Sequence, residues 1–560
     1  MSQATSHTLH PRVLFATLIG AIAGFALLAS PATPARADQT FVVNRTDDPP
    51  PVFCGNGGNC SLREAVTAAN GTPGADTIQL EGGQTYILSI PISGAGGVLT
   101  GDLDISDSVN IDTVGPGGDA TIFGNGGVTG DRVLQVTGGI TTLHSVVVAG
   151  GIAPSDGGNP PHHTGGGVEV DSGGVFNAFD STIVGNSVPN LGDLGGGIFN
   201  NNGRVNIVRS NVAGNRASGG FGGGIDTIGP DAQTGIINSK LFDNDAFAGG
   251  GFAAGGGETS IGNSQLSFNS SGDGGAAFVG NGSVDFFDAT INNNRSDTFG
   301  GALRATGGRT TFKNSTISLN MGATGGGIAA KNLNNGGSIS FADTIIAGNV
   351  DNDGSDGMNP DCLDQTGGLA QTLGFNIVGN GAGCALTAQS GDHIGSPGAP
   401  VDPGLEPGTS YTGGDFTGLT ISLEAGSLAL DAADPAPGGC TAQDARGVPR
   451  SLGGRCDIGA WEFVTCGNQT VNRDGDAGDN TSDEKSMSPT DGDDGILGLP
   501  GNDSMAGGAG NDGLCGGKGK DTLHGGPGND RLMGGKGHDV CIGGPGHDKA
   551  KGCEVERSIP

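Results

Sequence analysis

Aromatic residues are scarce in this sequence, and their scarcity argues against an ordinary globular core. The chain of 560 residues has one Trp and two Tyr, and aromatic residues make up 4% of it, whereas 115 residues are Gly. A dense single core needs large side chains, and the Gly residues do not follow the collagen period. The chain is therefore expected to consist of repeats.

Basic residues are also few. Lys and Arg number 26 against 58 Asp and Glu, which gives a formal net charge of −32 and an isoelectric point near 4.3. This balance argues against nucleic acid or an anionic membrane as a partner, because either would need a basic face. It points to divalent cations or to solubility alone.

Long apolar runs are missing, except at the N-terminus. A run from Val13 to Leu28 follows basic and polar residues, and small residues continue to Ala37. This pattern predicts a secretory signal peptide over residues 1–37, with cleavage after Ala37. No later run reaches the ~20 residues of a membrane span, so the mature chain is expected to be secreted without a transmembrane segment.

All ten Cys follow the signal peptide, an even number that suits disulfides in an oxidising compartment. Their local spacing suggests four pairs and leaves two residues over, although spacing cannot prove the connectivity. A zinc site is disfavoured because the sequence has no CxxC pair. The suggested pairs are Cys54–Cys60, Cys362–Cys384, Cys440–Cys456 and Cys541–Cys553, leaving Cys466 and Cys515.

Two short patterns recur about every 25 to 30 residues from Gly165 onwards. The first is a glycine cluster followed by an apolar residue, and the second is a phrase S-x-φ-x-x-N, in which φ is apolar. Apolar and polar residues alternate within each repeat and no helical spacing occurs, so the period indicates a solenoid of short strands. The phrases end at Asn186, Asn215, Asn244, Asn269, Asn294, Asn320 and Asn349.

Stacked coils of this kind form a parallel β-helix, with one apolar residue of each phrase in an interior column. The Asn is expected to occupy a left-handed turn position and to bond to the equivalent Asn one coil away. The glycines are expected to allow close approach at the coil corners. The predicted interior column is Ile183, Val212, Leu241, Leu266, Ile291, Ile317 and Ile346.

These repeats resemble the right-handed β-helix superfamily that includes pectate lyases, and also bacterial surface and autotransporter passenger proteins. The resemblance implies an all-β fold, a right-handed parallel β-helix, over residues 76–400. Lyases and hydrolases of this fold line a groove with carboxylates. Asp102, Asp104, Asp107, Asn110 and Asp112 were candidates for such a groove. The paired Asp and Gly-His-Gly signature is missing and the Arg residues are scattered, so we interpret these residues as solvated coil faces and predict no catalytic residue.

The segment before the repeats, residues 38–75, is predicted to cap the solenoid. Ser61 and Glu64 have the spacing of a capping box at the start of a short helix. The run CSLREAVTAAN from Cys60 resembles the CSLREA domain at the head of many secreted bacterial β-helix proteins. An acid–base role for Arg63 and Glu64 is the less favoured alternative to a structural cap.

Residues 401–466 resemble the C-terminal end of the choice-of-anchor Q family, through SLALDAAD, RGVPR and CDIGAWE. In that family a β-helix is followed by an interchangeable surface-retention module. Arg446, Asp457, Trp461 and Glu462 are interpreted as packing and capping residues of the last coils rather than as a site. Residues 467–488 are polar and acidic and are predicted to be a flexible linker.

A nine-residue repeat follows the linker. Six in-frame copies begin at Gly498, and a degenerate copy begins at Pro489. They match the hemolysin-type (RTX) pattern GGxGxDxUx, in which U is apolar. Each glycine turn offers carbonyl oxygens and each Asp a carboxylate, and Ca²⁺ takes six to eight oxygen ligands.

The resemblance implies that residues 489–560 form a parallel β-roll with several Ca²⁺ ions between neighbouring turns. The apolar positions Met505, Leu514, Leu523, Leu532, Cys541 and Ala550 would fill a thin core. Like-charged Asp and many Gly oppose folding without metal, so calcium is expected to drive it. The metal ligands carried over are Asp494, Asp503, Asp512, Asp521, Asp530, Asp539 and Asp548.

The sequence thus predicts a secreted calcium-binding structural or adhesive surface protein, with calcium ions and extracellular glycans or cell-surface proteins as partners. The alternative is an extracellular polysaccharide lyase or glycoside hydrolase. A carboxylate cluster with Lys or Arg in one exposed groove would favour that alternative.

Overall fold

The computed structural model describes residues 38–559 except 53, 55–58, 93–98, 154–163, 332–336, 353–360, 366–369, 407–420, 437, 447, 451–454, 472 and 475–488. The predicted signal peptide lies outside the described residues. Two helices occur in the described part, Leu62–Asn70 and Gly126–Thr129, and strands account for the other regular elements. Neither helix is long and apolar enough to cross a membrane.

The rod is a parallel β-helix, as predicted. A typical coil begins with Val168–Val170 in sheet 1, continues with Val175–Phe179 in sheet 2 and Thr182–Val184 in sheet 3, and ends with Ser187–Leu194 in sheet 4. The next coil starts with Ile198–Asn201, which pairs in parallel with the first strand of the preceding coil. Each strand therefore bonds to its equivalents one coil away.

Within the described residues the four sheets contain ten, twelve, twelve and seven strands. Sheet 1 consists of Leu103–Ile105, Leu134–Val136, Val168–Val170, Ile198–Asn201, Ile225–Ile228, Phe252–Ala254, Ala277–Val279, Leu303–Ala305, Ile328–Ala330 and Cys362–Asp364. Sheet 2 consists of Thr40–Val42, Asp76–Glu81, Val109–Val114, Ile140–His144, Val175–Phe179, Arg204–Val208, Gln233–Ile237, Glu258–Gly262, Ser283–Phe287, Arg309–Lys313, Ser338–Ala342 and Ala370–Thr372. Sheet 3 consists of Thr85–Ile87, Ala120–Phe123, Val146–Ala149, Thr182–Val184, Asn211–Ala213, Lys240–Phe242, Gln265–Ser267, Thr290–Asn292, Thr316–Ser318, Ile345–Ile346, Ile377–Val378 and His393–Ile394. Sheet 4 consists of Ser187–Leu194, Arg216–Phe221, Asp245–Ala248, Ser270–Asp273, Arg295–Ser296, Met321–Gly322 and Val350–Asp351.

The core of the rod follows the predicted apolar column. Ile183 pairs in register with Val212, Val212 with Leu241, and the alignment continues to Ile346. All seven side chains are fully buried. On sheet 2 the rings of Phe286 and Phe312 stack with centroids 4.7 Å apart. Aligned identical positions thus produce continuous apolar stacks along the axis.

The predicted asparagine ladder is present. The backbone N–H and the side-chain amide of Asn215 both donate to Oδ1 of Asn244, at 3.0 and 3.1 Å, and the same pair of bonds recurs between successive members. Asn349 ends the ladder on Oδ1 of Asp361. The predicted left-handed conformation of the Asn was wrong. It belongs to the preceding residue, as in Gly185 and Asp243, because the Asn itself turns its amide inward.

The glycine clusters form the corners between sheets 4 and 1. Gly195 has φ +66°, a conformation that L side chains rarely adopt. A Cβ on Gly197 would lie 2.6 Å from the carbonyl oxygen of Gly224 in the next coil. The corner therefore needs glycine both for its turn and for the close approach of coils.

The N-terminal helix closes the first edge of sheet 1. Its capping box is confirmed, since Ser61 accepts from the backbone of Glu64 while the Glu64 carboxylate accepts from the backbone of Ser61. Arg63 is fully buried and donates to the carbonyl oxygens of Gly101 and Asp102 at 2.7 and 2.8 Å, as well as to a carboxylate. The helix thus satisfies edge carbonyls that would otherwise be open to another chain.

The carboxylates near residue 102 are less solvated than predicted. Asp102 is 3% exposed, and Arg132 lies between its carboxylate and that of Glu169, at 3.2 and 2.8 Å. Burial raises the pKa of Asp102 to about 8, although the Arg132 charge opposes the shift. The interpretation as a solvated face was wrong for Asp102, because the ion-pair network encloses it. Asp112 does lie near the surface and pairs with His144 at 2.7 Å.

The described residues between 421 and 466, called the flank segment, pack along the side of the rod. Gly459 N–H donates to the carbonyl oxygen of Asp343, and Arg450 forms an ion pair of 2.9 Å with Asp288. Both contacts fall on the turns between sheets 2 and 3. This segment covers the side of several coils, whereas it was expected to pack on and cap the last coils.

The four residues considered as a possible site in this segment are buried, which agrees with the packing interpretation. The Arg446 guanidinium lies 3.3 Å from the Trp461 ring centroid and bonds to Asp444 at 2.6 Å. Burial raises the pKa of Glu462 to about 8 and that of Asp457 to about 6. A buried ion network joins this segment to the rod.

Five disulfides link all ten cysteines. The four pairs suggested by spacing are confirmed, and the two remaining residues, Cys466 and Cys515, pair with each other. That last bond joins the flank segment to the C-terminal repeats. The described start of the predicted linker is structured as well, because Gln469–Thr470 pairs with Thr465–Cys466 and Arg473–Asp474 pairs in parallel with Gly495–Leu497 of the C-terminal repeats.

Candidate calcium-binding site

The nonapeptides form a small roll of two parallel sheets. Successive repeats contribute one strand each, of three or seven residues, alternately to the two sheets, so equivalent strands lie 18 residues apart in the same sheet. Sheet 5 consists of Arg473–Asp474, Gly495–Leu497, Gly513–Gly519, Arg531–Gly537 and Lys549–Lys551, and sheet 6 of Ser504–Ala506, Thr522–His524, Val540–Ile542 and Val555–Arg557. This roll confirms the predicted fold of the repeats.

The turns depend on glycine for their backbone shape. Gly526 and Gly528 have φ values of +111° and +155°, and the four other turns of sequence GGxG repeat this pair of positive angles. A Cβ on Gly528 would also overlap the carbonyl oxygen of Gly510. Between the sheets lies the thin core that was expected, in which Met505, Leu514, Leu523, Leu532 and Cys541 are buried and Ala550 is partly exposed.

The turn aspartates line up in two columns, one at each side of the roll. The backbone N–H of one Asp donates to Oδ1 of the next Asp in its column, at 2.8 to 3.0 Å. All seven are at most 4% exposed. The columns are Asp494, Asp512, Asp530 and Asp548 on one side and Asp503, Asp521 and Asp539 on the other.

The second carboxylate oxygen of these residues points into a polar cradle. In Asp512, Asp530, Asp539 and Asp548 the Oδ2 atom is buried and has no hydrogen-bond partner. A buried carboxylate oxygen without a hydrogen-bond partner lowers the stability of the folded state, so each of these atoms needs a positively charged partner.

Backbone carbonyl oxygens share the cradle. A Cβ on Gly498 would lie 2.5 Å from Asp503 Oδ2 and 2.6 Å from the carbonyl oxygen of Gly516, and the first glycine of each later repeat has an equivalent pair of neighbours. Carboxylate and carbonyl oxygens are the ligands that Ca²⁺ prefers. The residues present therefore fit a calcium ion.

The electrostatics of the columns also favour a cation. Burial raises the pKa of Asp512 to about 6, and repulsion from Asp530 and Asp494 adds to the shift. Burial likewise raises the pKa of Asp530. A bound divalent ion would reverse this tendency and hold the carboxylates ionised.

Carboxylates alone cannot form the site. In the part of the chain that the structure describes, no three Asp, Glu, His or Cys side chains converge on one point. Carbonyl oxygens of the turns would therefore have to complete the coordination shell, as the sequence pattern predicts. Asp494 differs from the others, because its Oδ2 accepts from the backbone and the hydroxyl of Thr490 at 2.6 and 2.8 Å.

An open pocket on the outer face of sheet 4 was missed by the sequence analysis. Its volume is about 400 Å³, and Asp245 in it accepts from Ser270 at 2.8 Å and pairs with Arg216 at 3.2 Å. Arg295 and Asp297 lie 3.5 Å apart on the other side. These residues follow the ladder Asn residues by one or three positions, which is the signal that could have revealed them. The lining consists of Ser218, Asp245, Ala246, Phe247, Ser270, Ser271, Gly272, Arg295 and Asp297.

Comparison with known families supports the assignment of the roll. Residues 489–523 and 515–550 match the family model of the RTX calcium-binding nonapeptide repeat. The C-terminal repeats are RTX calcium-binding repeats. The family model does not extend to the rod.

Solved structures resemble the chain in fold only. Pectate lyase Pel9A is 15% identical, with a TM-score of 0.43, and the match covers 77% of this chain and 97% of that chain. The PL6 family alginate lyase AlyGC is 11% identical, with a TM-score of 0.30, and the match covers 90% and 71%. A comparison with curated proteins gave no match.

Proposed function

We propose that this protein is a secreted, calcium-binding structural or adhesive surface protein, in which a β-helix rod carries a calcium-folded RTX roll. The buried, unpartnered Oδ2 atoms beside turn carbonyls carry the proposal. Five disulfides and the RTX repeats support an extracellular location, with the signal peptide over residues 1–37.

The proposed ligands are Asp503, Asp512, Asp521, Asp530, Asp539 and Asp548, together with carbonyl oxygens of the turns two repeats on. Asp494 completes the set at the degenerate first turn, where Thr490 already occupies one of its oxygens. Calcium would supply the positive charge that lets successive aspartates lie in one buried column. The chain itself aligns the carboxylates through the backbone bonds between neighbouring turns.

We propose three functional regions around this metal site. Residues 38–75 cap the rod, residues 76–400 form it, and residues 401–466 attach it to the roll at 489–560 across the segment 467–488. Twelve stacked strands at about 4.8 Å spacing give a rod roughly 50 Å long. Such a surface suits contacts with extracellular glycans or cell-surface proteins.

Calcium titration of the full-length protein, followed by far-ultraviolet circular dichroism, tests the metal proposal. The roll should gain β structure as Ca²⁺ reaches the millimolar range, because its small core cannot offset the repulsion between aspartates without metal. Asp530→Asn keeps the side-chain shape and removes one charge, so it should shift the calcium midpoint upwards several-fold.

Asp491→Asn is the matched control, since Asp491 is exposed and lies outside both columns. It should leave the calcium midpoint unchanged. The proposal fails if the wild-type protein shows no transition, or if both variants shift the midpoint equally.

The sheet 4 pocket favours a second candidate function, an extracellular polysaccharide lyase or glycoside hydrolase. Two carboxylates and one arginine line one open pocket there, and Arg216 pairs with one of the carboxylates, which is the kind of cluster expected of such an enzyme. Acidic and neutral polysaccharides should then yield unsaturated or reducing ends with the wild-type protein. Asp245→Asn should abolish that yield, whereas Asp231→Asn, an exposed change on the same rod, should not. No product from any polysaccharide would rule out this second function.

A further inference from the structure

Basic side chains are concentrated on one sheet of the roll. Seven of the chain's 26 Lys and Arg lie within residues 489–560. Five of these seven belong to three adjacent strands of sheet 5, Gly513–Gly519, Arg531–Gly537 and Lys549–Lys551, and these strands contain no Asp or Glu. We call this group the basic patch, and it consists of Lys518, Arg531, Lys536, Lys549 and Lys551.

The register places like charges side by side. Lys518 is directly opposite Lys536, and Arg531 is directly opposite Lys549. Like charges in facing positions destabilise a sheet. The four lysines are exposed, and no ion pair to them occurs among the described residues. Arg531 also donates to the carbonyl oxygen of Gly467 at 2.8 Å, so the four exposed lysines are the charges of the patch that suit an external anion.

The charge of the roll depends on calcium. Residues 489–560 contain eleven Asp and Glu against seven Lys and Arg, but seven of the eleven are the buried column aspartates. Calcium at the columns would neutralise those seven and leave four acidic residues, Asp491, Asp493, Glu554 and Glu556. The surface that remains is then predominantly basic, although the whole chain is strongly acidic.

The residues around the patch select the kind of polyanion. Residues 489–560 include no Phe, Tyr or Trp. Binding at a membrane interface uses aromatic and large apolar side chains, and single-stranded nucleic acid stacks on aromatic rings. Within the described roll, Met533 is the exposed large apolar side chain, at 38%. A flexible extracellular polymer needs only aligned charges and hydrogen bonds.

We propose that the basic patch binds an acidic polysaccharide, bearing sulfate or carboxylate groups, when the roll holds calcium. The proposal rests on the proposed calcium binding and names a partner for the adhesive function. The rod would then be held at a polyanionic matrix through its C-terminal end.

Binding of the full-length protein to immobilised dextran sulfate tests the proposal, with carboxymethyl dextran as the carboxylate arm and plain dextran as the neutral control. With Ca²⁺ present, the protein should bind the charged polymers and not plain dextran, and a chelator should abolish binding. The logarithm of the binding constant should fall linearly with the logarithm of the salt concentration, because ion contacts release counterions.

Two double variants locate the contact. Lys518→Gln with Lys536→Gln, and Lys549→Gln with Lys551→Gln, should each weaken binding about tenfold and reduce the salt dependence. Lys240→Gln with Lys331→Gln removes the same charge from the rod and should leave binding unchanged.

The outcomes separate this inference from the calcium proposal, because every variant is also titrated with Ca²⁺ by circular dichroism. A normal calcium transition without polymer binding overturns the inference alone. Equal weakening by the rod variant, binding that persists in chelator, or binding to phosphatidylserine vesicles instead of the polymers also overturns it. Loss of the calcium transition itself overturns both proposals.

Discussion

At the scale of single residues, the buried carboxylates fall into two groups. The buried carboxylates of the roll lie beside backbone carbonyl oxygens and are suited to calcium. Some buried carboxylates of the rod form ion pairs with arginine, and others lie among uncharged groups. Asp226 belongs to the second group, since it is 1% exposed and its Oδ2 has no hydrogen-bond partner. Burial raises its pKa to about 7, and a hydrogen bond from the Thr227 backbone only partly opposes this.

This environment predicts a specific dependence of stability on pH. Because the folded pKa of Asp226 is above the unfolded value, the folded state keeps a proton that the unfolded state releases, and stability falls as pH rises from about 4 to about 7. Asp226→Asn removes that loss. We compare the free energy of unfolding of Asp226→Asn with that of the wild type at two pH values. The advantage of the variant should be larger at pH 8 than at pH 4, by up to about 4 kcal/mol.

Denaturant unfolding at both pH values measures this difference. Asp231→Asn, an exposed change in the following turn, should show no such dependence. A constant difference between Asp226→Asn and the wild type across the range would contradict the prediction.

At the scale of elements, the asparagine ladder is the main polar support of the rod. Asn244 accepts two bonds from Asn215 and donates two to Asn269. Asn244→Ala would leave buried donors and an acceptor without partners, which should lower the free energy of unfolding by about 2–4 kcal/mol. Asn352→Ala, an exposed position on the same rod, should change it by less than about 0.5 kcal/mol. Chemical denaturation of both variants checks the comparison, and similar small effects would show that the ladder contributes little.

The elements that the sequence predicted correctly are those in which one coil repeats the next. The Ile183 column, the ladder and the roll core follow from periodicity, because equivalent residues must align when strands stack in parallel. The left-handed residue before each Asn could not be assigned, since several residue types occupy that position. The burial of Asp102 and the flank position of residues 421–466 depend on contacts between distant segments, and local pattern carries no signal for them.

For the proposed calcium site too, the sequence predicted what depends on repetition and not what depends on contacts between distant residues. The repeated Asp predicted the carboxylates and the glycine turns predicted carbonyl oxygens, but which carbonyl oxygens lie beside which carboxylate, two repeats away, appears only after stacking. The pocket at Asp245 and the basic patch arise from side chains that vary between repeats. From the sequence alone, side chains that differ from one repeat to the next look like the ordinary variation of surface residues.

At the scale of the whole molecule, rod and roll are joined by more than a single chain crossing. Cys466 and Cys515 form a disulfide across 49 residues, and Arg531 donates to the carbonyl oxygen of Gly467 at 2.8 Å. Val448, Cys466, Val471, Leu497 and Leu499 form a buried apolar cluster at this junction.

Loss of this disulfide should weaken the roll more than loss of the terminal one. In the chain-entropy treatment, closing 49 residues contributes about 4 kcal/mol, whereas closing the 12 residues between Cys541 and Cys553 contributes about 3 kcal/mol. The Cys466→Ser, Cys515→Ser double variant should therefore require more calcium for folding than the Cys541→Ser, Cys553→Ser variant. Calcium midpoints from circular dichroism measure both, and the reverse order would refute the role given to the junction.

The coil-by-coil pairing of the rod makes its length adjustable. Successive ladder residues are 25 to 29 positions apart, and each coil stacks on the coil before it and the coil after it. Duplicating or deleting one whole coil before Asn263, whose side chain donates to Asp444 of the flank segment, would leave the flank contacts and the C-terminal roll intact. The molecule can thus act as a spacer whose reach changes in steps of about 4.8 Å.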